Sequence, residues 1–170
     1  MAMSETRVQD LPPFAGHSPD KDRPLGWYTL LISLFTGLAG GFATWFRRSG
    51  RELPQQMDTR DLALVALATH KSSRMLGKAR VTAPMRAPFT RYEGHAGPSE
   101  VRERARGRGL RRVIGELITC PYCLSMWIAG AFTAGLLVAP RPTRWLASML
   151  TAVFGSDVLQ IAYRKAEDTL

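Results

Sequence analysis

Cysteine is scarce in this chain of 170 residues: there are two, Cys120 and Cys123, too few for the disulfide framework of a small secreted domain. Histidine is scarce as well, with only His17, His70 and His95. Ser125 and Ser156 have no histidine near them in sequence, and His70 is followed by lysine rather than by the H-E-x-x-H pattern of a zinc hydrolase. There is no phosphate-binding loop, internal repeat or low-complexity tract. These absences leave little room for hydrolytic, phosphoryl-transfer or repeat-scaffold readings.

Acidic residues are also few, and the net charge is +9. That excess invites a nucleic-acid reading, so its distribution matters. Residues 1–24 carry three basic and four acidic groups, and the chain from Leu117 onward carries four and three. Residues 47–116 hold sixteen of the 23 Lys and Arg against seven acids, so one segment accounts for the surplus. A nucleic-acid binder would more often spread basic groups over a soluble fold. No groove-reading motif is present, and an RNA-binding arm is the weaker alternative.

Three long stretches lack charge or nearly so. Leu25 to Phe46 has no charged residue, and 22 residues at about 1.5 Å each can cross a hydrocarbon core of ~30 Å. Trp27, Tyr28 and Trp45 sit where interfacial aromatics are expected, and Arg47 and Arg48 end the run. The polar stretch ahead of it is long and acidic, unlike the basic start of a signal peptide. Gly37 and Gly41 form a GxxxG pair. Leu117 to Ala139 is the second spanning run, and Trp145 to Tyr163, broken only by Asp157, is the third. The turn at 140–144 makes these two an antiparallel hairpin.

The expected fold is therefore all-α: an integral membrane bundle of three spanning helices plus one amphipathic helix, interfacial or partly inserted. The organisation is a disordered polar tail (1–24), a transmembrane helix (25–46), a linker (47–60) and a membrane domain (61–165). That domain comprises a helix over 61–78, a basic loop over 79–112 and a transmembrane hairpin over 117–163. In the helix, His70, Lys71, Arg74 and Lys78 share an arc of about 100°, which argues for a helix lying in the interface, or packed against other helices with its basic stripe toward water. In the loop, Pro84, Pro88 and Pro98 with Gly94, Gly97, Gly107 and Gly109 interrupt any long element. By the positive-inside rule this loop is cytoplasmic and touches anionic lipid headgroups. Three crossings then put the N-terminus outside and the C-terminus inside, in a bacterial cytoplasmic membrane, with Arg141 and Arg144 as the minority against the rule.

Two features could carry chemistry. Cys120 and Cys123 stand at the start of a span as Cys-Pro-Tyr-Cys, where helix N–H groups favour a thiolate. A glutaredoxin spells its active site the same way, but here no strands surround the motif. The pair can be structural, with Pro121 bending a continuous helix. It can also be redox-active, or supply two of the four ligands of a zinc, completed by His70, His95 or a second protomer. The second feature is Asp157, an acid inside an apolar run and so a site candidate by default. Glu116 lies near the same interface. Lys71 or Arg74 of the amphipathic helix could neutralise either acid. A structural ion pair is the plainer reading, and a proton or ion path the sharper one.

Four stretches, RDLALVALATHKSSRML, VTAPMRAPFTRYEG, GLRRVIGELITCPYCLSMW and SDVLQIAYR, together resemble a bacterial membrane family known as domain of unknown function 1360, of actinobacterial type. The resemblance covers about residues 60–165 and implies a membrane location but no activity. In many relatives the first helix of that region is more apolar than Asp61–Lys78. The functional expectation is a non-enzymatic scaffold or partner-binding subunit, without cofactor or nucleic acid. The alternative is a membrane thiol protein using Cys120 and Cys123, with a homo-oligomer if zinc is shared between protomers.

Overall fold

The computed structural model describes residues 25–169, so the polar tail 1–24 lies outside the described residues. The fold is mostly helical. Helix α1 is Leu25–Arg48 and α2 is Thr59–Lys78. A 3-10 turn (Arg80–Thr82) and the single-turn α3 (Ala83–Arg86) lead into strands β1 (Thr90–Gly97) and β2 (Glu100–Ala105). Helices α4 (Gly109–Thr119), α5 (Pro121–Val138) and α6 (Pro140–Glu167) complete the chain. By length and composition, α1, α5 and α6 are long and apolar enough to cross a membrane. Their apolar side chains, among them Ile32, Leu38, Leu159 and Ile161, point outward. Such a surface suits lipid rather than water.

The bundle is built around α2. Asp58 starts that helix by accepting the N–H of Arg60 at 2.8 Å, an N-cap contact. Val65 and Ala68 of α2 form one cluster with Phe132 of α5 and with Ala147 and Leu150 of α6. Thr69, Ser73 and Gly77, spaced four apart, share a buried face of α2. Small residues at that spacing let helices approach closely. At Gly77 an added Cβ would stand 3.2 Å from the Ile118 carbonyl oxygen and 3.5 Å from Pro121, so the end of α2 meets the start of α5. The two helices are therefore antiparallel. Asp61 meets Arg144 near the starts of α2 and α6, and Lys71 meets Asp157 further along both, so those two run parallel.

Helix α1 lies on the rim. Tyr28 donates to Glu116 of α4, while about two turns further on Phe35 packs edge-on against Trp127 of α5 at 5.2 Å. It thus runs parallel to α5. Its Gly37 and Gly41 have no neighbour within 4 Å of where a side chain would begin.

Several expectations change. The fold is not all-α, because the expected basic loop 79–112 contains an antiparallel β-hairpin followed by the start of α4. The residues read as breakers make that hairpin. Gly94 follows a bulge in the register after Tyr92, and Gly97-Pro98-Ser99 forms the turn, with Ser99 at φ 61°. Left-handed backbone at a short polar residue or glycine is what a tight connection demands. Of the two placements expected for α2, it takes the one packed against other helices, lengthwise between α5 and α6, but Lys71 of its stripe turns to α6 rather than to water. Pro121 does not bend a continuous helix: α4 ends at Thr119, Cys120 is extended, and α5 begins anew with proline in its first turn. The turn before α6 is shorter than expected, since Pro140 already opens the helix.

The relation of the termini changes too. The start of α1 lies at the hairpin end of the bundle, with Trp27 beside Gly109, and α6 finishes at that same end. Helix α2 runs the length of the bundle between these ends, beside the three candidate spans.

Candidate functional site

The hairpin is fixed to α2 by a buried arginine. Arg86, 2 % exposed, meets Glu103, which points inward from β2 and is 6 % exposed. Its remaining donors reach the carbonyl oxygen of Leu76 and the hydroxyl of Thr82, both at 2.6 Å, and the carbonyl oxygen of Ala79 at 3.0 Å. The last carbonyls of a helix have no partner within it, so this guanidinium serves as a side-chain cap on α2. Helix α4 closes the other side of the hairpin. At Gly115 a Cβ would fall 2.5 Å from the Phe89 carbonyl oxygen, so only glycine fits that crossing.

Along α2 three charges have partners. Asp61 accepts two bonds from the Arg144 guanidinium, at 2.8 and 2.7 Å. Ten residues on, Lys71 donates to Asp157. One turn further, Arg74 makes a two-pronged contact with Glu100 at the hairpin tip, at 2.7 and 3.0 Å. Of the two cations considered for Asp157 and Glu116, Lys71 takes Asp157, and neither takes Glu116. That acid instead accepts from Tyr28 and from Arg112, the latter at 3.0 Å. The Asp61–Arg144 and Arg86–Glu103 pairs escaped the sequence reading. The available signal was the pair of arginines at 141 and 144, anomalous under the positive-inside rule and in need of a local reason.

The two thiols sit at the junction of α4 and α5, and both are free. Cys120 Sγ accepts the N–H of Cys123 at 3.2 Å, so the first cysteine acts as the N-cap of α5 while Cys123 is exposed. His70 stands edge-on to Phe154 at 5.2 Å, and His95 Nδ1 lies 3.1 Å from the Arg80 guanidinium. Among the described residues no three His, Cys, Asp or Glu side chains gather into a metal-holding group. Ser125 donates to the Tyr122 carbonyl oxygen and Ser156 pairs with Gln160, each within its own helix. What the arrangement does chemically is to neutralise charge inside a bundle and to set a dithiol at its edge.

Comparison with known proteins agrees with the region of the bundle. A family profile described as protein of unknown function (DUF1360) matches residues 64–163. The chain is 33 % identical over 107 residues to a Bacillus subtilis (strain 168) protein named sporulation protein YjcA, covering 61 % of this chain and 91 % of that one. No solved structure matches. The matched region holds α5 and most of α2 and α6, with the hairpin between them, and leaves α1 outside.

Proposed function

The chain belongs to the DUF1360 family, and from that premise we propose that it is a non-enzymatic scaffold or partner-binding subunit of a bacterial cytoplasmic membrane. In this reading α1, α2, α5 and α6 all cross the bilayer and the hairpin faces the cytoplasm. The observation that carries it is the pairing along α2: Asp61, Lys71 and Arg74 each meet an opposite charge on α6 or the hairpin. Charges spent on one another hold a polar helix inside a bundle, which is the plainest use of ionisable groups at that depth. Charge asymmetry supports the orientation. Ten Lys and Arg between Lys78 and Arg112, with Arg164 and Lys165, lie at the hairpin end. Arg47, Arg48, Arg51, Arg60, Arg141 and Arg144 lie at the other. Four crossings put both termini in the cytoplasm.

Single cysteines at Ser4, Gln55 and Glu93, in a background with Cys120→Ser and Cys123→Ala, test this with a membrane-impermeant maleimide on intact cells. Labelling is expected at Gln55 alone. Labelling at Ser4 with protection at Gln55 would restore three crossings and place α2 at the interface.

A membrane thiol protein is the second reading, favoured by the exposed Cys123 thiol beside Cys120. The capping role of Cys120 argues for structural use. Thiol titration and metal analysis of detergent-purified protein should find two reactive thiols per chain and no bound metal. About half an equivalent of zinc per chain, with both thiols protected, would instead indicate a site shared by two protomers.

A further inference from the structure

The two acids of β2 are paired with cations from the preceding segments, Glu103 with Arg86 and Glu100 with Arg74. The arginines of the hairpin are different. The register sets Arg91 directly opposite Arg104, and Arg102 opposite Gly94. All three arginines are exposed, and among the described residues none of them has an ion pair or a side-chain hydrogen bond. Like charges directly across a strand pair are destabilising, yet among the described residues no acid pairs with them, Glu100 being taken by Arg74. Directly opposite side chains start only about 5 Å apart, so both guanidiniums can close on one phosphate.

A second observation concerns the chain just ahead of the hairpin. In the segment joining α2 to the hairpin, Arg86 is buried while Val81 and Met85, four residues apart, are 82 % and 68 % exposed. The segment leaves the end of α2, the level at which the apolar surface of the bundle stops. Bare aliphatic side chains beside arginines at that level match a surface that enters the boundary between headgroups and acyl chains.

We propose that the hairpin and residues 80–86 form a collar for anionic phospholipid, in which Arg91, Arg102 and Arg104 hold headgroup phosphates and Val81 and Met85 enter the acyl boundary. The collar rests on the membrane reading above, because only an embedded bundle brings it beside headgroups. Guanidinium forks suit phosphate oxygens better than lysine does. Gly94, opposite Arg102, leaves the face open at that position.

The test uses the full chain in nonionic detergent, titrated with short-chain phosphatidylglycerol, phosphatidylcholine of the same chains, inorganic phosphate and polyglutamate. Binding is followed by native mass spectrometry. Phosphatidylglycerol should bind saturably and weaken with salt, while phosphatidylcholine and phosphate should not bind. Each arginine near an anionic surface is worth roughly five-fold in affinity, so R91Q/R104Q should weaken phosphatidylglycerol about 30-fold. R48Q/R141Q, with the same charge change at the opposite end, should leave it unchanged. V81S/M85S should weaken it several-fold without altering the response to salt. Unchanged phosphatidylglycerol binding in R91Q/R104Q would overturn the collar, with an unaltered unfolding midpoint confirming that the variant is folded. Inorganic phosphate competing as strongly as the lipid would mean a free-anion site instead. Tighter binding of polyglutamate would mean an acidic protein partner. Carbonate extraction of native membranes separates the two levels, since release of the protein would sink the embedding itself.

Discussion

Glu103→Leu should cost about 3–5 kcal/mol of stability in detergent-solubilised protein, read as a lowered midpoint of chemical unfolding. The substitution leaves Arg86 buried with a charge it cannot shed, because a guanidinium stays protonated at any working pH. Three of its contacts remain, to Leu76, Thr82 and Ala79, but they are neutral oxygens. A double variant, R86M/E103L, removes the stranded cation and should recover about half of the loss. Recovery stays incomplete because the carbonyl of Leu76 then lacks its donor, at about 1–3 kcal/mol for a group kept from water. Wild-type stability in Glu103→Leu would show that the pair does not anchor the hairpin.

Asp157→Leu should cost about 3 kcal/mol, and K71L/D157L should return close to wild type. The loss comes from Lys71, whose side chain is only 18 % exposed and would face apolar surroundings alone. Lysine can lose its proton where arginine cannot, which caps the penalty below that at Glu103. Arg74→Ala provides the contrast. Its side chain is 56 % exposed, and an exposed pair contributes about 1 kcal/mol or less. A double variant no more stable than Asp157→Leu would show that the two side chains do not depend on each other.

Helices α1, α5 and α6 were legible because a run without charge needs no partner to be recognised. For α2 the periodicity fixed the helix and its last residue, but not its place. That placement depends on Arg144 and Asp157, 83 and 86 residues away from their partners, and nothing local signals such pairings. The basic stripe that pointed to water is instead divided among separate tasks: Lys71 turns to α6, Arg74 to the hairpin, and His70 to Phe154. The hairpin was illegible for a different reason. Strand recognition relies on apolar alternation, and β2 reads Glu-Val-Arg-Glu-Arg-Ala, with a charge at an inward position. Glu103 is tolerated there because Arg86, 17 residues earlier in the chain, lies underneath it, beyond the reach of a local pattern. At the dithiol, the Cys-x-x-Cys spacing was visible, but the helix break at Cys120 was not, since an apolar run crosses it without interruption.

The parallel pairing of α2 with α6 also dictates an order of events on the ribosome. Asp61 and Lys71 are translated well ahead of Arg144 and Asp157. At roughly 5–20 residues per second the gap is about 4–17 s. In the membrane reading proposed above, α2 is during that interval a finished segment with two unneutralised charges, held at the headgroup level until α5 and then α6 emerge. Only as Asp157 follows Arg144 out of the ribosome can α2 sink between them, so the helix near the front of the family region is the last to take its seat.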